Sequence, residues 1–152
     1  MSNNEIKQSV TVKASREVVF KALSDAGELM RWFPTRVESD ARTGGKFMFA
    51  WEFAEEENNG SQEGTYTEVI ANEKISYGWQ AGEVPTTVEF TLNASGDETT
   101  VDLVHAGFPA GAEGDELLKK HSDPWGFYMM NLKSYLEEGQ DGRTAAIGQK
   151  TA

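Results

Sequence analysis

The stretch KFMFAWEF, residues 46–53, constrains the fold more tightly than any other part of this chain. Phe47, Phe49, Trp51 and Phe53 alternate strictly with Lys46, Met48, Ala50 and Glu52. Successive side chains of an extended strand point to opposite faces, so the aromatics share one side. The same one-sided pattern returns as Ile75, Tyr77 and Trp79, then Val88, Phe90 and Leu92, then Val101, Leu103 and His105. Weaker strands are expected at residues 6–12, where Val10 and Val12 share a face, at 37–41 and at 62–70. Strands with a single apolar face require an antiparallel sheet covered on one side. The connections Gly44-Gly45, EEENNG (55–60) and ASGDE (94–98) are short and turn-forming, as hairpins need.

Such a sheet needs a cover. Ser15 is placed to cap a short helix over residues 16–23, whose Val19, Phe20 and Leu23 recur at helical spacing. Asp25 followed by Glu28 has the capping-box spacing for a second short helix through Arg31, and Pro34 discourages its continuation. The long helix comes last. Ser122 or Asp123 is the expected cap, with Pro124 in the first turn. Trp125, Tyr128 or Met129, Leu132, Tyr135 and Leu136 form an apolar stripe, and Gly139 supplies a stop. Residues 106–121, broken by Gly107, Pro109, Gly111 and Gly114, read as an irregular connector or rim. The expected fold class is therefore α+β: a curved antiparallel sheet of six or seven strands around one long C-terminal helix, with two short helices after the first strand. Residues 1–139 are assigned to the domain and 140–152 to a mobile tail.

Composition removes several classes of function. The chain has 152 residues and no cysteine, which excludes disulfides, thiolate metal sites and cysteine nucleophiles. MSNNEIKQSV lacks the basic and apolar runs of a signal peptide, and no apolar run approaches a membrane span, so a cytoplasmic location is expected. The net charge of −11 is uneven: +2 over residues 1–46, −14 over 47–118 and +1 over the remainder. So acidic a centre repels nucleic acid and anionic membranes. No phosphate loop, G-x-S-x-G elbow or H-E-x-x-H motif occurs, and no cofactor or metal is expected.

Five stretches in order resemble one family: VTVKASREVVFKALSDAGELMRWF (10–33), DARTGGKFMF (40–49), EVIANEKISYGWQ (68–80), TTVDLVHAGFP (99–109), and Trp125-Gly126 leading into NLKSYLEEG (131–139). Together they resemble the activator of Hsp90 ATPase homologue-like family, within the START-like (SRPBCC) superfamily of birch-pollen-allergen-like helix-grip domains. The resemblance implies a monomer or homodimer with a cavity between sheet and helix. It also implies a hydrophobic or amphipathic small molecule, or a protein partner, as the thing bound. The eukaryotic chaperone activator carries a further N-terminal domain, and no such domain is expected before Ile6.

The expected ligand-binding residues are Trp32 and Phe33 near the cavity mouth, Phe47, Phe49, Trp51, Tyr66, Tyr77, Trp79 and Phe90 on the sheet, His105 at a strand end, and Trp125, Tyr128 and Met129 on the helix. Aromatic walls with a few polar handles suit an apolar ligand, and they equally suit a filled core. The acid–base candidates are His105, Glu68 and Tyr66, with Glu68 expected on the face of Tyr66. These groups do not make a complete catalytic constellation. The leading expectation is a non-enzymatic binding or stress-related interaction domain. The alternatives are a cyclase- or dehydratase-like enzyme and an Hsp90-type chaperone partner.

Overall fold

The computed structural model describes residues 5–52, 60–81 and 83–143. Along the chain run β1 (Glu5–Val12), α1 (Arg16–Ser24), α2 (Ala26–Leu29), β2 (Arg36–Ser39), β3 (Lys46–Trp51), β4 (Gly60–Ile70), β5 (Lys74–Ala81), β6 (Val84–Ser95), β7 (Glu98–Ala106) and α3 (Ala112–Glu138). The strands form one seven-stranded sheet in the order β1-β7-β6-β5-β4-β3-β2, antiparallel throughout. β2 to β7 is a meander, and β1 closes the far edge against β7. The two short helices carry the chain from one edge of the sheet to the other. The curved sheet wraps α3, which is the helix-grip arrangement.

The local chemistry follows the sequence. Ser15 accepts a hydrogen bond from the Val18 amide at 3.2 Å, and Asp25 accepts one from the Glu28 amide at 3.0 Å, so both short helices begin at side-chain caps. Alternation on β7 buries Thr99, Val101, Leu103 and His105. On β3 it buries Phe47 and Phe49. Phe53 and residues 55–59 of the polar tip lie outside the described residues. Gly64, opposite Phe47 in the β3–β4 register, leaves room for that ring: a Cβ there would stand 3.0 Å from Phe47 Cζ.

The structure corrects two expectations. The long helix does not start at Ser122 or Asp123. It starts at Ala112, and Pro124 lies inside it. Proline removes one amide donor, which leaves the Lys120 carbonyl without its usual partner four residues on. The helix continues because burial of Trp125, Tyr128, Met129 and Leu132 outweighs that loss. Its true start is signalled by Gly111, at φ 90°, and by Glu113 and Asp115 in the first turn. Gly114 is required there, since a Cβ would sit 1.6 Å from the Pro109 carbonyl oxygen.

The second correction concerns the segment after Gly139. Its first residues are fastened down: Arg143 is buried at 3% exposure, and Asp141 and Gly142 bond to Asn131 of α3. Residues 144–152 lie outside the described residues. Among the described residues, no helix is long and apolar enough to cross a membrane.

Candidate functional site

Phe33 is the hub of the interior. It follows α2, and its ring lies within 5.0–6.5 Å, centroid to centroid, of six others: Trp32, Phe49, Trp51, Trp79, Trp125 and Tyr128. On one side of this hub is packed core. On the other, α3 stands away from β3 and β5 and leaves a cleft of about 490 Å³. Phe33, Trp51, Trp79, Trp125, Phe127 and Tyr128 supply its aromatic walls, Gly60 and Pro124 complete them, and His121 and Asp123 add the polar groups. This volume and lining fall within the range of small-molecule sites.

The thirteen expected binding residues divide between the two sides. Phe33, Trp51, Trp79, Trp125 and Tyr128 border the cleft. Trp32, Phe47, Phe49, Tyr66, Tyr77, Phe90, His105 and Met129 are packed in the core and do not border it. Strand alternation shows which face is inward, but not where the inward face meets empty space. Phe127, Pro124, Asp123, His121 and Gly60 were missed. The signal for His121 and Pro124 was helix phase: they lie four residues before Trp125 and Tyr128 respectively once the helix is extended back past the proline.

His105 is fully buried at the edge of this aromatic cluster. The Trp125 indole N–H donates to His105 Nδ1 at 3.0 Å. An indole nitrogen only donates, so Nδ1 is the bare acceptor and Nε2 carries the hydrogen. Nε2 lies 2.7 Å from Thr86 Oγ1, to which it donates, and Thr86 donates in turn to the Trp79 carbonyl at 2.7 Å. Both ring nitrogens are therefore occupied by protein. Burial pushes the imidazole pKa down to about 3, with the neighbouring His121 ring adding to the fall. The ring is neutral, and its one lone pair is already used. This arrangement orients Trp125 and leaves no free base.

The other acid–base candidates do not join it. A β-bulge between Tyr66 and Glu68 shifts the register of β4 against β5. The bulge turns Glu68 away from the face of Tyr66, correcting the expected shared face. Glu68 pairs with Lys74 at 3.0 Å on the surface, where Lys74 also reaches Glu89 at 3.4 Å. The Tyr66 hydroxyl lies 2.7 Å from Ser39 Oγ, and burial raises its pKa despite that bond. Among the described residues, no three His, Cys, Asp or Glu side chains group as metal ligands.

Three residues that border the cleft, Tyr128, Trp51 and Trp79, carry polar groups of their own. Tyr128 is pushed up to about 12 by burial; Arg143 opposes the rise and Asp141 adds to it, so its hydroxyl stays protonated. The Trp51 indole lies close enough to oppose that rise as well, but its N–H makes no hydrogen bond of acceptable geometry. The Trp79 N–H is likewise sealed from solvent and unpartnered among the described residues. By contrast, Trp32 donates to the Ala22 carbonyl and Trp125 donates to His105. Each unmade bond costs roughly 1–3 kcal/mol.

Sheet, helix and aromatic cleft define a helix-grip domain of the START-like class. The chain belongs to the family described as activator of Hsp90 ATPase homolog 1-like protein, whose model matches residues 13–137. A search of curated protein sequences finds no significant match. Among solved structures, the Aha1 dimer from Colwellia psychrerythraea is similar at TM-score 0.76 and 22% identity, with 90% of this chain and 98% of that one covered. A protein from Chromobacterium violaceum matches at TM-score 0.72 and 21% identity, covering 90% and 99%. An HSP90 activator from Plasmodium falciparum matches at TM-score 0.67 and 23% identity, covering 87% and 95%. At these identities the likeness shows the shared fold.

Proposed function

We propose that this domain is a non-enzymatic binder of a hydrophobic or amphipathic small molecule held in the cleft between α3 and the sheet. The observation that carries this reading is the cleft of about 490 Å³ walled by Phe33, Trp51, Trp79, Trp125, Phe127 and Tyr128. Aromatic walls favour an apolar or planar body. The Tyr128 hydroxyl and the two unpartnered indoles favour a ligand that carries a hydrogen-bond acceptor. A modest turn of either indole toward such an acceptor would recover part of its desolvation cost. The engaged nitrogens of His105 and the outward Glu68 argue against acid–base turnover in this cleft.

Native mass spectrometry of the protein as purified, followed by titration with lipids and aromatic metabolites, tests the reading. The neutral fluorophore N-phenylnaphthylamine serves as a displacement probe. A co-purifying adduct or displaceable probe binding is expected. Absence of both adduct and binding across these classes overturns the proposal.

Family membership favours a second reading, a chaperone partner, because the Plasmodium relative is an HSP90 activator. A pull-down with the Hsp90 homologue of the source organism and an ATPase assay decide it. No capture and no stimulation would refute it.

A further inference from the structure

The three residues Asp141, Gly142 and Arg143 lie beyond the stretch that matches the family model, and they return to the hub of the cleft. The Arg143 guanidinium donates through Nη1 to the carbonyls of Phe33 at 3.0 Å and Pro34 at 2.9 Å, and through Nη2 to that of Met30 at 2.6 Å. Asn131 of α3 donates to the Trp32 carbonyl at 2.8 Å. Carbonyls of four of the five residues from Met30 to Pro34 are thus held by side chains from α3 and the segment behind it. These carbonyls lie in the turn after α2, outside any helix or strand, where side chains satisfy them. A rigid cationic fork suits them in charge and shape.

The fork is itself fixed. Arg143 Nε donates to both Asp141 oxygens at 3.0 and 2.9 Å, Asn131 Nδ2 donates to Asp141 at 2.9 Å, and the Gly142 amide donates to Asn131 Oδ1. Burial raises the Asp141 pKa, but the bonds from Arg143 and Asn131 outweigh it and hold the carboxyl below its ordinary value. Arg143 is buried while Asp141 is partly exposed, and with its N–H groups engaged the guanidinium is held in one orientation; loss of the carboxylate would leave a buried positive charge uncompensated.

We propose that Asp141–Arg143 form a latch, with Arg143 as the positioning residue that sets the backbone of Phe33 and so preorganises the cleft for its ligand. The inference rests on the cleft being a binding site. The Phe33 carbonyl is held by the Arg143 guanidinium, and its ring packs against the rings of Trp51, Trp79, Trp125 and Tyr128. Its position sets the shape of the cleft wall. By reciprocity, an occupied cleft tightens the latch.

The test compares wild type, Arg143→Lys and Thr99→Ala. Lysine keeps the charge but has no planar fork to hold three carbonyls and a carboxylate together. Thr99, bonded to the Ala14 carbonyl, lies outside both cleft and latch and supplies a control for general destabilisation. Arg143→Lys should weaken N-phenylnaphthylamine binding by about fivefold or more, the lower end of coupling between sites. It should also increase acrylamide quenching of the ligand-free tryptophans. Thr99→Ala should leave both unchanged. In wild type, saturating probe should slow hydrogen exchange at the Gly142 amide and at Arg143 Nε, a measurement that needs no variant to fold. Unchanged exchange in the saturated protein overturns the latch, as does equal probe affinity in Arg143→Lys and wild type. If wild type binds no probe, the small-molecule reading fails separately, and quenching decides the latch: equal quenching in Arg143→Lys and wild type overturns it, and higher quenching supports it.

Discussion

Acidification should weaken this protein through His105. The ring is neutral in the folded state, with its pKa brought from 6.5 to about 3, while the unfolded chain protonates near 6.5. Between those values the unfolded state holds the extra proton. Stability is therefore complete above the unfolded value and falls as pH drops toward the folded one. The slope approaches 1.4 kcal/mol per pH unit inside that window. From pH 7 to pH 5 the loss attributable to this ring is about 2 kcal/mol. For a chain of this size that corresponds to a drop in Tm of about 4–8 °C. Urea unfolding of wild type and His105→Gln at pH 7, 6 and 5 reads the effect. The variant is less stable at pH 7, because the Trp125–His105–Thr86 chain is disturbed, but it lacks the histidine contribution to the slope. Subtracting the two slopes cancels what the other titrating groups contribute. Parallel slopes would refute the buried, neutral imidazole. A protonatable ring in contact with solvent would give that result.

Three further outcomes are expected. Phe33→Ala should cost about 3–5 kcal/mol in urea unfolding, the range for deleting a large buried aromatic, and it should abolish probe binding. Gly114→Ala should destabilise by at least the ~1–3 kcal/mol typical of overpacking, because its Cβ meets the Pro109 carbonyl; unchanged thermal unfolding by circular dichroism would contradict that geometry. All four tyrosines are raised: Tyr66, Tyr77 and Tyr128 chiefly by burial, and Tyr135 by burial together with Glu28. Alkaline titration followed by tyrosinate absorbance should lag behind that of free tyrosine and then rise as the protein unfolds, since the unfolded chain binds fewer protons there and stability falls with pH. A full ordinary tyrosine titration centred on pH 10 in folded protein would count against the packing.

The repeated alternation from Lys46 to His105 determined the sheet, because a pleated strand with one apolar face has only one way to hide it. Ser15 and Asp25 determined two helix starts, because a cap is a bond between residues three apart. The long helix was legible in its stripe but not in its beginning. Pro124 is locally a first-turn residue, and only packing of Trp125 through Leu132 against the sheet overrides that preference. Glu68 was misplaced because a one-residue bulge inverts facing and leaves no pattern in the sequence. The division between filled core and open cleft depended on distances between rings far apart in sequence, as did the partners of His105 and the return of Arg143 to the Phe33 carbonyl. Periodicity is a local property and fixes which way a side chain points. What it meets there, another ring, a carbonyl or empty space, is set by packing between residues distant in the chain.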